Sequence, residues 1–192
     1  LLDQGYGAVF IASGAWRATS MGIPGEDEVE VIKGISFLEA VNAGVPPAIG
    51  AKVIIVGGGD TAIDAARVSR RLGAEVVLVY RRTRAEMPAS EEEIDAAIEE
   101  GVNMEFLTAP LGIDGGVMTC IRMALGAADA SGRPRPEPVA GSEFSVAANT
   151  VIIATGQEVD VPAQAVVREK NGTVRAEPGS LATSVKGIFA GG

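Results

Sequence analysis

The sequence contains no histidine and a single cysteine, Cys120. These two shortages remove a CxxC redox pair, an iron–sulfur cluster, a histidine-based triad and the usual zinc sites from the chain itself. Positive charge is also scarce: 16 Lys and Arg stand against 25 Asp and Glu, a net charge of −9 at pH 7. That balance argues against a nucleic-acid surface and otherwise speaks for solubility and for a basic partner. No apolar run approaches the roughly 20 residues of a membrane span, so no membrane segment is expected. The first residue is Leu1, not a start methionine, and the chain is expected to be a piece of a longer protein. One cysteine gives no sign of an oxidising compartment, and a cytoplasmic location is expected. Neither a catalytic residue nor a metal ligand is expected within these 192 residues. Their 47% hydrophobic content suffices for one good core.

What is present is organised around Ala51 to Leu72, AKVIIVGGGDTAIDAARVSRRL. Val53 to Val56 are four β-branched residues in a row, which suits a parallel strand covered on both faces. Gly57, Gly58 and Gly59 follow, and then a helical pattern with small or apolar residues at Ala62, Ala65, Ala66 and Leu72. Gly57-x-Gly59-x-x-Ala62 fits the dinucleotide fingerprint: one glycine for a tight turn, the next for close approach of backbone to a pyrophosphate, and a small residue for helix–strand packing. The helix start adds free N–H groups and a partial positive charge. Glycine-rich turns also occur for packing alone, but strand before and helix after favour a nucleotide.

The choice of nucleotide lies one strand later. Glu75 to Tyr80 reads as a second parallel strand that ends in Arg81-Arg82, with Arg84 close behind. An NAD site carries Asp or Glu about 20 residues beyond the fingerprint, to accept from the ribose 2′-OH. Two guanidinium groups there instead match a 2′-phosphate, which they can grip by bidentate, charge-assisted bonds. NADP(H) is therefore the expected cofactor, against the plain alternative of a solvated basic loop.

Elsewhere, Ala8 to Ala12 reads as a short buried strand ending in Ser13-Gly14. The acidic run Glu26, Asp27, Glu28 and Glu30 reads as a solvated face. Ser36 and Glu39 form a capping box that opens a helix ended by Gly44; Ser90 and Glu93 form a second, for a helix stopped by Gly101. In that second helix Ile94, Ala97 and Ile98 are expected to be buried. Glu91, Glu92, Asp95, Glu99 and Glu100 are expected to face water. Val102 to Leu107 reads as a third strand, and Val117 to Leu125 and Ser142 to Val146 as an antiparallel pair. The segment joining that pair, Gly126 to Gly141 with Arg133-Pro-Arg-Pro-Glu-Pro138, is too rich in proline and glycine for a regular element. Cys120 reads as a small core residue. Val9 to Gly14 and Val151 to Gly156 are near copies, and suggest paired strands at a domain junction.

Taken together, A-[S/T]-G twice, G-G-G-D-T-A-x-D at Gly57 to Asp64, Y-R-R at Tyr80 to Arg82, E-M-P-A at Glu86 to Ala89 and T-S-x-x-G-I-F-A-G-G at Thr183 to Gly192 resemble a known group. The chain is similar to the NADPH-binding domain of the small (β) subunit of glutamate synthase. Its relatives include the matching domain of dihydropyrimidine dehydrogenase and the large subunit of NADH-dependent ferredoxin:NADP oxidoreductases. The resemblance covers nearly the whole chain, and Y-R-R with E-M-P is its specific part. It implies an NADPH domain inserted into an FAD domain, with the two A-[S/T]-G strands as crossings. A hydride then passes from NADPH to FAD, and electrons pass to iron–sulfur clusters in the same chain or in a larger catalytic subunit. Carried over by motif, Gly57, Gly59, Asp60 and Thr61 hold the pyrophosphate and Arg81 and Arg82 the 2′-phosphate, with Arg67 or Arg71 nearby. Ala154, Thr155, Gly156 and Gln157 lie near the nucleotide at the domain junction.

The expected fold is α/β: a Rossmann-like, three-layer dinucleotide-binding domain, with helices on both faces of a small parallel sheet and an antiparallel strand extension. One NADP(H)-binding domain is expected over 1–192, with a core at about 15–154 and crossings to an FAD domain at 1–14 and 155–192. The sequence lacks an amino-terminal flavin fingerprint and cluster-binding cysteines, and it stops before the Asp of a G-G-D flavin motif. It is therefore expected to hold FAD poorly and to be inactive alone. Two other readings remain open: a non-catalytic NADP(H) sensor, and part of a pyridine nucleotide-disulfide reductase whose redox cysteines lie outside the chain.

Overall fold

The computed structural model describes residues 1–128, 132–161, 166–170 and 172–191. In chain order its elements are β1 (Val9–Ile11), β2 (Arg17–Ala18), β3 (Val31–Lys33), α1 (Gly34–Asn42), β4 (Lys52–Val56), α2 (Asp60–Arg71), β5 (Glu75–Val79) and α3 (Glu91–Glu99). There follow β6 (Asn103–Glu105), β7 (Thr108–Asp114), β8 (Val117–Ala128), β9 (Pro134–Pro138), β10 (Phe144–Ala147), β11 (Thr150–Ile153), β12 (Gln157–Glu158) and β13 (Ile188–Ala190). No helix among the described residues is long and apolar enough to cross a membrane.

The chain divides into two compact units, one made of Leu1–Thr19 with Gln157–Gly192, the other of Ser20–Gly156. In the larger unit five strands form a parallel sheet in the order β3-β11-β4-β5-β6. Side chains of a strand alternate between faces. Val53 and Ile55 of β4, Val76 and Leu78 of β5 and Ile152 of β11 turn to one face, where they pack on Phe37 of α1, Ala62, Ile63, Ala65 and Ala66 of α2, and Ile94 and Ala97 of α3. Ile54, Val56, Val79, Val151 and Ile153 turn to the other, against Ile113 of β7 and Met118 and Cys120 of β8. The expected α/β class with a parallel sheet and antiparallel extension is present. Helices on both faces are not: all three α-helices among the described residues pack on one face, and an antiparallel sheet in the order β10-β8-β7 covers the other. The apolar β4 run needs two covered faces, and it does not specify by what.

That antiparallel layer holds two departures. β7, with Pro110 inside it, pairs with β8 through a bulge between Pro110 and Gly112. The proline-rich segment forms β9, which pairs antiparallel with β8, Ala124 opposite Glu137 and Leu125 opposite Pro136. Prolines at every second position all lack their N–H on the same edge, and β9 pairs along the other edge only, so the ladder loses nothing.

Helix ends also differ in part. Ser90 caps α3 as expected, its Oγ accepting from the Glu93 N–H at 3.3 Å. Ser36 caps nothing, because α1 begins two residues earlier, at Gly34, with Lys33 as its N-cap. Ile94 and Ala97 are buried, but Ile98 is 42% exposed. Glu100 does not simply face water: it takes Arg67 at 2.8 Å and Arg71 at 2.6 Å from α2. Glu26 is the largest reversal, since it is buried. Its carboxylate accepts from Ser20 Oγ at 2.7 Å, from the N–H groups of Met21 and Gly22, and from Lys33 Nζ.

In the smaller unit β1 pairs in parallel with β13, and β2 pairs antiparallel with β12. The two near-copy strands, β1 and β11, are thus not paired with each other. They belong to different sheets, and the pairing falls on the short strands that follow each copy.

Candidate functional site

The carboxyl ends of β11, β4 and β5 are adjacent, and β4 leads through α2 to its neighbour β5. Ligands of open parallel sheets bind outside such strand ends. Gly57 carries the ladder one residue beyond β4, its N–H donating to Val79 at 3.1 Å. Its φ of +147° lies where side chains are rarely accommodated, and an added Cβ would sit 2.3 Å from the Ala154 carbonyl oxygen. A Cβ on Gly58 would sit 2.6 Å from the ring of Tyr80. Gly59 is the N-cap of α2 in an extended conformation, with its carbonyl accepting from Ala62 and Ile63. Backbone is therefore bare of side chains at the point where the first turn of α2 leaves its N–H groups without intrahelical partners. Asp60 opens the helix, exposed, and Thr61 follows half-buried.

One strand over, Tyr80 is buried and gives its hydroxyl to the Glu86 carbonyl at 2.8 Å. Glu86 in turn accepts from the Thr83 N–H at 3.0 Å and from Thr83 Oγ1 at 2.6 Å. The Thr83 hydroxyl first, its N–H and nearby Arg82 hold this carboxyl below the usual carboxylate range, against the opposing effect of burial. The loop ends with the Ala89 N–H donating to the Gly58 carbonyl at 3.3 Å. The segment Y-R-R to E-M-P-A is thus fastened to the glycine turn at both ends.

Of the site residues expected from sequence, Gly57, Gly58, Gly59, Asp60 and Thr61 form one continuous turn, and Ala154 meets it: its N–H donates to Val56 at 2.8 Å and its carbonyl abuts Gly57. Arg81 is exposed at the tip of β5, one residue from the ring that covers Gly58. Arg82 is buried, with Nε donating to the Pro134 carbonyl at 2.8 Å. Thr155 and Gly156 are exposed beyond β11, and Gln157 belongs to β12 of the smaller unit. Arg67 and Arg71 are engaged with Glu100, and Arg84 with Asp95 at 2.6 Å. Tyr80, Thr83 and Glu86 are not among the site residues expected from sequence, yet they form the framework that holds the loop. The T-x-x-E spacing of Thr83 and Glu86 was the available signal for the last two.

Cys120 is buried in the sheet facing away from the helices, and burial pushes its thiol up to about 11. A thiol so placed has no thiolate at neutral pH and no redox partner in the chain.

Residues 3–192 match the pyridine nucleotide-disulphide oxidoreductase family. The β subunit of an NADPH-Fe(3+) oxidoreductase of Geobacter sulfurreducens is 51% identical over 170 residues, covering 83% of this chain and 25% of that protein. The β subunit of an NADP(+)-dependent formate dehydrogenase of Moorella thermoacetica is 45% identical over 202 residues, 100% of this chain and 29% of that one. The glutamate synthase [NADPH] small chain of Azospirillum brasilense is 35% identical over 209 residues, 96% and 43% of the two chains, and bears out the resemblance drawn from the motifs. The chain therefore spans between a quarter and less than half of these relatives. In fold it is similar to Mycobacterium tuberculosis FprA in complex with NADPH, with a TM-score of 0.81 at 20% identity over 100% of this chain and 59% of that one. Lactococcus lactis thioredoxin reductase gives 0.73 at 22% identity, over 96% and 56%. The family match takes in the glycine turn, its basic neighbour and both units, and by it the chain belongs to the pyridine nucleotide-disulphide oxidoreductases, as an oxidoreductase domain.

Proposed function

We propose that this chain binds NADP(H) and works within a larger FAD-containing oxidoreductase of the glutamate synthase small-subunit kind. The observation that carries the reading is the glycine turn between β4 and α2, where packing against the Ala154 carbonyl and the Tyr80 ring excludes side chains at Gly57 and Gly58. Bare backbone at a helix start fits a pyrophosphate, with the first N–H groups of α2 and its dipole favouring the negative charge. Asp60 complements the same dipole. Arg81, with Arg82 behind it, supplies positive charge for a 2′-phosphate in a chain that is otherwise acidic. Ala154, Thr155 and Gly156 border the nucleotide at the carboxyl end of β11. NADPH, when bound, supplies a hydride from its nicotinamide ring to the flavin. This chain's residues bind and orient the nucleotide.

The larger unit is then the nucleotide domain, and the smaller unit a part of the FAD domain. An iron–sulfur domain or larger catalytic subunit is the proposed onward partner, in the cytoplasm. The NADPH-Fe(3+) oxidoreductase and formate dehydrogenase relatives are β subunits and the glutamate synthase relative is a small chain, which supports a further subunit as partner. A disulfide-reductase role would need cysteines other than Cys120.

Calorimetric titration of the chain with NADPH and with NADH tests the proposal, repeated on the double variant Arg81→Ala with Arg82→Ala. Preference for NADPH that disappears in the double variant is expected, a charge-assisted contact to the 2′-phosphate contributing about 1.5–3 kcal/mol. Equal binding of the two nucleotides by the unaltered chain would refute the NADP assignment.

A further inference from the structure

Two adjacent arginines occupy very different places. Arg81 is exposed, whereas Arg82 retains 5% of its exposure. The Arg82 carbonyl accepts from the Leu107 N–H at 3.0 Å, and its Nε–H donates to the Pro134 carbonyl at 2.8 Å. Leu107 itself accepts from the Met123 N–H of β8 at 2.7 Å. One residue thus ties the tip of β5 to the β6–β7 connection by its main chain and to β9 by its side chain.

The spacing of the prolines explains why that carbonyl is on offer. The Val139 N–H donates to the Arg122 carbonyl of β8 at 2.9 Å, so the odd-numbered residues of this segment direct their backbone groups toward β8. Pro134, Pro136 and Pro138 direct theirs outward, along an edge that has carbonyls and no N–H. A guanidinium group has donors and no acceptor, and it is the complement of such an edge.

We propose that Arg82 is a positioning residue, fastening β9 beneath the strand tip through the Pro134 carbonyl, and that Arg81 alone of the pair makes the direct contact that selects a 2′-phosphate. The role given to Arg81 rests on the NADP(H) reading; the role given to Arg82 rests on the Pro134 contact. Loss of the Arg82 side chain strands the Pro134 carbonyl and releases the support under the tip. That loss acts on the whole nucleotide site rather than on one phosphate. Glutamine at 82 carries its Nε2 where arginine carries Nε, keeps a donor for Pro134 and removes the charge.

The test compares Arg81→Ala, Arg82→Ala and Arg82→Gln with the unaltered chain, by titration with NADPH and NADH and by amide hydrogen exchange of β9 without nucleotide. Arg81→Ala is expected to weaken NADPH about 10- to 100-fold, with NADH and β9 exchange unchanged. Arg82→Ala is expected to weaken both nucleotides by the same factor and to speed exchange at Arg135 and Glu137, and Arg82→Gln to move both measures back toward the unaltered chain. Loss of NADPH preference in Arg82→Gln with β9 exchange unchanged would make Arg82 a phosphate ligand and overturn the proposal, as would an Arg82→Ala chain unchanged in both measures. Should Arg82→Ala not fold, Arg82→Gln carries both measures. An unaltered chain without preference for NADPH would refute the NADP(H) reading, and exchange at β9 would still judge the Arg82–Pro134 contact.

Discussion

The ring of Tyr80 lies so close over Gly58 that a methyl group there would come within 2.6 Å of Cδ2 and Cε2. The middle glycine of the turn is thus set by an aromatic side chain of the next strand. A Gly58→Ala variant must displace the ring and with it the hydroxyl's bond to Glu86. Overpacking of this kind costs about 1–3 kcal/mol. In a Tyr80→Ala background the same change has room. Denaturant unfolding of the four chains is expected to show a coupling of roughly 0.5–3 kcal/mol, and strictly additive costs would show that ring and glycine are independent.

Glu86 holds the loop that carries the arginines through two bonds to Thr83, at 3.0 and 2.6 Å. Glu86→Ala is expected to lower affinity for NADPH and NADH together, by about tenfold, through the loss of both bonds to Thr83. Glu86→Gln, which can still accept but carries no charge, is expected to recover only part of it. Because the folded carboxyl titrates below its ordinary 4.5, its contribution is complete above that value and fades as the pH falls through the lower one. Nucleotide titrations from pH 7 to pH 4 check this, and a decline already near pH 6 would implicate another group.

Glu26 and Lys33 form an ion pair in the larger unit whose loss is expected to weaken it in acid. Burial would push the Glu26 carboxyl up, but hydrogen bonds from Lys33, Ser20, Met21 and Gly22 outweigh it and bring the value down to about 2. The stabilisation is therefore full above 4.5 and is lost between 4.5 and about 2. Glu26→Gln is expected to cost about 1–3 kcal/mol at pH 7 and to flatten the acid side of the stability profile, as read by thermal unfolding against pH. A profile as steep as that of the unaltered chain would move the acid sensitivity to another carboxylate.

Cys120 is expected to resist a disulfide reagent in the native protein and to react in denaturant, since its thiol is fully buried and raised to about 11. Cys120→Ala is expected to leave nucleotide affinity unchanged and to cost about 1 kcal/mol of stability for the lost sulfur. Prompt native labelling would contradict the burial.

The glycine turn is legible because its determinants are local: β4, Gly57 to Gly59 and α2 are contiguous, and strand, turn and helix periodicities agree there. The position of Ala154 under Gly57 was not legible by periodicity, because β11 reaches β4 from about a hundred residues away in sequence, and only motif resemblance pointed to it. Glu26 was misread because one charge in an acidic run cannot show that four donors surround it. β9 was misread because proline counts against a strand in general, whereas what matters is which edge the missing N–H falls on. Arg81 and Arg82 are chemically identical in sequence, and only the packing of β9 tells them apart.

An edge that offers carbonyls and no donors has a consequence beyond the site. A strand from a second molecule can extend a sheet only where both donors and acceptors are presented in alternation. β9 withholds half of that pattern at Pro134, Pro136 and Pro138, so the rim of the ribbon is a poor template for intermolecular strand addition even beyond the carbonyl that Arg82 occupies. Replacing the three prolines by threonine would reopen it, and concentration-dependent association would be the sign.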